Sequence, residues 1–418
     1  MNYLIKNIEK ITIGILAILA SDSLVAQINY NQISGQQLNS RSNTITTAVP
    51  FLMISPDSRA GGMGDAGAAS SPDVNSIHWN PSKLAFVDKK LAVGVSYTPW
   101  LRALVPDINL AYLSGYYKTK NNGTFGGSIR YFSLGDITFT DINGNTIGQF
   151  RPNEFALDIA YARKLSKVFS IGGAVRYINS NLTGGTFVNG ATTHPGRTVA
   201  VDMSASYRKE KVKIGEKTGT VGFGMNISNI GAKMSYSDRN GTNNANFIPI
   251  NLRLGGSLMI NLDEYNSISF VLDANKLMVP TPPVYEVDAN GSAIPDGNGG
   301  YKIAYGKDPN RGIVAGMFGS FSDAPGGVKE ELREINYASG MEYWYNKLFA
   351  IRAGYFYESP YKGNRQYITL GSGVKYNVFG LDFAYLIPTA QKNPLQNTLR
   401  FSLTFDFDAF KAQNDKID

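Results

Sequence analysis

Near the end of the chain Leu399, Phe401, Leu403, Phe405 and Phe407 alternate with Arg400, Ser402, Thr404 and Asp406. That period of two puts one apolar and one polar face on an extended strand. The pattern recurs at Phe155, Leu157, Ile159 and Tyr161, at Val199, Val201, Met203 and Tyr207, and at Ile250, Leu252, Leu254 and Leu258. Fourteen such strands are expected, beginning near Leu91, Asn109, Thr124, Glu154, Phe169, Thr198, Val221, Ile250, Ser267, Glu334, Phe349, Tyr367, Gly380 and Thr398. Alternation alone suits a soluble sandwich as well as a membrane barrel. An even count, runs near the ~9 to 11 residues that cross a bilayer at a tilt, and connectors that are short at one end and long at the other favour the barrel. The connector 209–220 is longer than this rule prefers, and the one after strand eleven is short. A bilayer offers no water to backbone amides, so the sheet has to close on itself. The expected fold class is all-β: a fourteen-stranded antiparallel transmembrane β-barrel over residues 89–408, followed by a tail, 409–418.

The faces assigned to the lumen carry Asp158, Arg176, Asp202, Arg208, Arg253, Asp382, Arg400 and Asp406, a mixed and polar lining. Tyr97, Trp100, Tyr131, Tyr177, Tyr207, Tyr345, Tyr357 and Tyr376 near strand ends are candidates for interfacial girdles. Before the barrel, Lys6 and Lys10 lead into the apolar run 11–20, and Leu24-Val25-Ala26 precedes Gln27. This reads as a secretory signal peptide over 1–26, since ten apolar residues are half of what a spanning helix needs, ~20. An extension, 27–50, follows it.

Composition narrows the chemistry. The 418 residues include no cysteine and two histidines, which excludes disulfides, thiolate metal sites and cysteine nucleophiles. Glycine, at 44 residues, is about half again the usual ~7% and suggests sterically crowded strands. The net charge is 40 − 33 = +7, but lysines such as Lys118, Lys120, Lys164, Lys167, Lys209, Lys211 and Lys213 fall in connectors, so solvated turns are expected and no nucleic-acid partner.

Residues 51–88 contain Ser55-Pro56-Asp57-Ser58-Arg59-Ala60-Gly61-Gly62-Met63-Gly64-Asp65-Ala66 and then Trp79-Asn80-Pro81-Ser82-Lys83-Leu84-Ala85. Small residues let backbone pack closely, and Pro81 is suited to opening a helical turn, so a compact plug-like segment is expected, with Arg59, Gly62, Met63, Gly64, Asp65, Trp79, Asn80 and Pro81 as its motif. This stretch resembles the FadL-like outer-membrane proteins, which carry an Arg-Ala-x-Gly-Met-Gly-Asp-Ala run and an Asn-Pro-Ala-Gly-Leu-Ala run before a fourteen-stranded barrel. Ser82 and Lys83 stand here for the usual Ala-Gly. The Ser55-Pro56-Asp57 lead and Trp79-Asn80-Pro81 look most like the PorV (LptO) branch of the Bacteroidota type IX secretion system. The related PorQ branch belongs to the same attachment complex, and chain length favours PorV. The resemblance implies an outer-membrane cargo shuttle: it binds the C-terminal signal domain of cargo beside a SprA- or Sov-like translocon. It then carries that cargo to the surface complex of a PorU-like sortase and its other attachment subunits. The wider family implies an alternative, a transporter of hydrophobic small molecules, with outer-membrane lipid around either.

Catalysis needs a nucleophile, base and orienting group together; His78 beside Trp79 and His194 in a loop supply none by sequence, and no enzyme activity or cofactor is expected. Asp141-Ile142-Asn143-Gly144-Asn145 has the look of a calcium loop, but lacks the later Glu at the required spacing; with Asn240-Gly241 and Asn290-Gly291 it reads as hairpin turn chemistry, and no metal is expected. Candidate partner contacts lie in two outer loops. In the long region 276–329 they are Met278, Val284, Tyr285, Met317, Phe318 and Phe321, either as a contacting arm or as a self-packed lid. In loop 1 they are Trp100, Leu101, Arg102 and Leu104, with Trp100 equally suited to a lipid rim.

Overall fold

The structure is a computed structural model that describes residues 43–407 apart from 103–104, 106, 122, 141–142, 186, 189–190, 238–244, 298–299 and 391–392. The signal segment, the tail, Leu104 and the Asn240-Gly241 turn lie outside the described residues.

Fourteen antiparallel strands form a closed barrel. In chain order they are β1 Leu91–Pro99, β2 Ile108–Lys118, β3 Gly123–Leu134, β4 Asn153–Lys164, β5 Phe169–Asn181, β6 Gly196–Ile214, β7 Lys217–Gly231, β8 Asn251–Asn261, β9 Asn266–Leu277, β10 Ile335–Tyr345, β11 Phe349–Tyr357, β12 Gln366–Tyr376, β13 Phe379–Pro388 and β14 Thr398–Asp406. Each pairs with its sequence neighbour, and β1 closes on β14 through Val93↔Phe405 and Tyr97↔Phe401. Closure leaves every strand a partner on both sides, as a bilayer demands. Among the described residues no helix is long and apolar enough to cross a membrane.

The alternation sorts sides as the sequence predicts. Ile159 and Met203 are 72% and 61% exposed, while the intervening charges Asp158 and Asp202 are 4% and 1% exposed. Greasy residues therefore face outward and charged ones inward, the reverse of a soluble sheet, and the sandwich reading falls away. The predicted strand starts agree within a few residues. The connector 209–220 is a correction: strand structure continues to Ile214 and resumes at Lys217, with Gly215-Glu216 as the turn.

The core sits inside the ring. The segment before β1 crosses the lumen through α1 Ser58–Gly61, α2 Ser76–Trp79 and two short 3-10 turns, Pro50–Met53 and Pro81–Phe86. Its Val74, Ile77, Leu84 and Val87 pack on Ala92, Tyr116, Ala160 and Ala174 of the wall. Nearer the long-loop end Phe51 and Leu52 join Leu110, Phe132, Ile178 and Ile250. Short turns lie at the opposite end, which in such barrels faces the periplasm. Between β9 and β10, α3 Ile313–Gly319 and α4 Val328–Arg333 belong to the long outer loop. Within that loop Val284–Ala304 is compact by itself; its Tyr285 ring meets Tyr301 edge-on at 5.6 Å.

Candidate functional site

The lumen-crossing segment is held by its own motif residues. Asp57 caps α1 by accepting from the Ala60 amide at 2.9 Å and takes the Trp79 indole N–H at 2.6 Å, tying the two halves of the motif together. Arg59 donates to both Glu342 oxygens of β10 at 2.8 and 2.9 Å and to Asp73 at 2.8 Å. Glu342 also receives Arg352 of β11, which reaches Asp382 of β13 at 2.7 Å. Asp65 accepts from Arg400 of β14 at 2.5 Å and from the Tyr367 hydroxyl of β12 at 2.6 Å. Most of these charges are buried inside the ring, so each pairing has to be nearly complete to be tolerated.

Close approach explains the glycines. Gly64 has φ +69, and a Cβ there would lie 2.6 Å from Ser339 O and Tyr355 N; on the wall side, a Cβ on Gly354 would lie 2.1 Å from Gly64 N. Backbone rests on backbone, which only glycine allows on both surfaces. Gly62 meets Gly371 in the same way, and Met63 covers Gly340.

The second half of the motif spans the other side of the ring. Asn80 donates from its amide to Ala68 O and Ser206 Oγ, and its side-chain oxygen accepts from the Ser82 amide at 3.1 Å, opening the turn that Pro81 starts. Trp79 lies under the Arg253 guanidinium, 4.6 Å from ring centre to charge. Asp273 of β9 accepts the Gly67 and Ala68 amides at 2.7 and 2.8 Å. His78 Nδ1 accepts from Arg130 at 2.6 Å, and burial together with Arg130, Arg253 and Arg176 holds its pKa well below the ordinary range. It is a neutral acceptor of a structural hydrogen bond. Burial pushes Lys83 down to about 8, against attraction from Asp73, and its ammonium donates to Gly67 O and Ser70 Oγ. Burial and the neighbouring Asp73 push Asp57 up to about 6. Beside the plug, two cavities of about 10 Å³ each have room for about one water. What this arrangement can do is seal.

The outer end carries a second organised group. Lys276 donates to Glu331 at 3.0 Å and Glu334 at 2.5 Å, and Lys362 donates to Glu330 at 2.5 Å and Glu334 at 2.9 Å. Glu331 accepts the Asp323 and Ala324 amides, and Thr281 donates to Glu334. The cluster ties β9, α4 and the 358–365 loop together. Asn43 joins it through Glu330 and Pro282 O, so the plug-bearing chain enters from this end. Burial opposes the charge on Glu330, but Lys362 outweighs it and holds its pKa below the usual range.

The predicted contact residues divide here. Met278 and Met317 are buried beside Phe247 and Ile250, the self-packed arrangement. Phe318 and Phe321 are 68% and 45% exposed on or just after α3, with Val314, Val328 and Leu332 also exposed. Val284 and Tyr285 form a short strand paired with Ile303–Tyr305. In loop 1 Trp100 packs inward on both the upper core and the Met63 cluster, and Leu101 on the latter, while Arg102 is exposed. Trp100 is therefore part of the interior and not of a lipid rim. Sequence reading missed Glu342, Arg352 and the Lys276–Glu331–Glu334–Lys362 cluster. The available signal for the first pair was register: Glu342 lies opposite Arg352 across β10 and β11.

Comparison with solved structures finds barrels of low identity. A deletion mutant of the monoaromatic hydrocarbon channel TodX matches at 13% identity and TM-score 0.47, covering 84% of this chain and 99% of its own. A Pseudomonas aeruginosa FadL homologue matches at 12% and 0.43, covering 88% and 100%. The Ralstonia pickettii toluene transporter TbuX matches at 12% and 0.40, covering 84% and 96%. Comparison with curated protein sequences finds no match. A family model described as type IX secretion system protein PorV matches residues 36–284, taking in the plug and the barrel through β9. With that match across more than half of its length, the closed, plugged barrel belongs to the PorV family of outer-membrane type IX secretion proteins.

Proposed function

We propose that this chain is a cargo carrier of the type IX system: its outer loops bind the C-terminal signal domain of cargo at the translocon and deliver it to the sortase-bearing attachment complex. Family membership supports the secretion role. The observation that carries the loop assignment is Phe318, two-thirds exposed on α3, a helix anchored by its neighbour Met317, which is buried in the core with Phe247 and Ile250. An aromatic held out from an anchored support pays little entropy on docking, and such rings dominate binding energy. A filled and charged lumen supports a surface role over conduction of hydrophobic molecules through the ring. The F318S/F321S double variant, purified from outer membrane, is expected to lose at least about tenfold of copurified signal-bearing cargo or translocon, as removal of a ~1.4 kcal/mol anchor would give. Unchanged copurification by this variant, and by one lacking residues 282–320, overturns the loop assignment.

A further inference from the structure

The positive charge at the periplasmic end is concentrated on one side of the ring, in a pattern that solvated turns do not explain. We infer that the lipid-facing ends of β4, β5 and β6 form a binding site for anionic phospholipid headgroups of the inner leaflet, with Arg163, Lys167 and Lys209 as its cations.

On the outward face of β4, Leu157, Ile159 and Tyr161 are exposed to the bilayer, and the next outward residue is exposed Arg163. On β6 the outward row Val199, Val201, Met203 ends in Tyr207, followed by exposed Lys209. Exposed Lys167 stands in the turn before β5, two residues from outward Phe169. On β4 and β6 a ring is thus followed, about 6 to 7 Å further along the strand, by a cation on the same face, and on β5 Phe169 is preceded by Lys167 of the turn. Register sets Lys209 and Lys167 side by side, just past the Tyr207↔Phe169 pair, while Arg163 is opposite Ile171 on the next of three adjacent strands. Arg163, level with Ala205 of β6, is about 13 Å along the strands and about 10 Å across them from Lys209, so the row spans about 16 Å, the width of two neighbouring headgroups. Rings flank it on both sides, with Phe125 4.9 Å from Tyr161 and Phe223 6.2 Å from Tyr207. Among the described residues no carboxylate forms an ion pair with any of the three.

Aromatic rings settle at the acyl–headgroup boundary, so a cation just beyond them meets phosphate. The far side of the ring lacks the second half of the pattern. Outward Tyr345, Phe349, Tyr376 and Phe379 are exposed there, but Lys347 is the nearby turn cation and Lys375 turns inward over Trp344. An acidic protein would suit the lysines of the projecting ribbon, Lys211 and Lys213, better than residues beneath a row of lipid-facing rings.

The test uses the full chain in nanodiscs of equimolar phosphatidylglycerol and phosphatidylcholine, with retained lipid counted by native mass spectrometry after release into detergent. Wild type is expected to retain phosphatidylglycerol preferentially, without competition from inorganic phosphate. R163Q/K167Q/K209Q is expected to lower that retention about tenfold or more, while K347Q and K211Q/K213Q match wild type. Each sample is checked for the heat-modifiable gel band of a closed barrel; if the triple variant lacks it, K167Q and K209Q are measured singly, with about threefold losses expected. Wild-type retention by the folded variants, or equal loss in K347Q, overturns the site. Displacement by polyglutamate that depends on Lys211 and Lys213, with no lipid preference, overturns it in favour of an acidic protein.

Discussion

Asp65 shows how much a single side chain carries. It holds a left-handed conformation, φ 64, and neutralises Arg400 on the last strand. Asp65→Asn keeps an acceptor for Tyr367 but leaves Arg400 without its charge partner, so a loss of about 3 to 5 kcal/mol is expected, read as a lowered midpoint of thermal barrel unfolding. Lys83 makes a pH-dependent contribution. Its pKa is near 8 when folded and 10.5 in the free side chain, so the folded state binds fewer protons between those values and stability rises as pH climbs through that window. The cost of protonating it in place is about 3 kcal/mol at neutral pH. Wild type is expected to show a higher unfolding midpoint at pH 10 than at pH 7.5, and Lys83→Met to lack that rise. The plug motif was legible because glycine and Asn-Pro have local steric meanings. Glu342 was not, since a lone inward carboxylate discloses its partner only once register is known.

At the level of elements, the strands were readable because hydrocarbon outside and charge inside enforce one side-chain period for the length of each crossing. The boundaries of β6 and β7 were not, because the consecutive charges Arg208-Lys209-Glu210-Lys211 interrupt the apolar alternation although backbone pairing continues to Ile214↔Lys217. Pairing of β5 with β6 ends at Phe169↔Tyr207, leaving the ribbon beyond Arg208 without a neighbour on that side. Replacing residues 210–219 with Asn-Gly is therefore expected to leave the unfolding midpoint within about 4 °C of wild type; a larger fall would mean that the ribbon braces the barrel. In the long outer loop the adjacent residues Met317 and Phe318 are both expected as partner contacts from the sequence. Helix α3 divides them by direction, sending Met317 inward and Phe318 outward, which consecutive letters do not reveal.

For the whole molecule, the contents of the ring decide what it can pass. Plug residues bond to β3 through His78, to β6 through Asn80, to β9 through Gly67, to β10 through Arg59 and to β14 through Asp65. The chain is expected to show no resolvable ion conductance in planar bilayers; steps of the size of an open fourteen-stranded pore would refute a sealed lumen. The location of those contacts also bears on how the protein is made. Ser58 and Asp65, near the start of the plug, bond to Ser402 and Arg400 on the final strand, which in turn meets β1 to shut the ring. A folded plug is too densely engaged to be threaded through a finished wall. Docking of the plug and closure of the ring are therefore expected to be coupled, with β14 as the clasp that both share. An assembly factor handling this chain meets a barrel whose last seam is also its quality check.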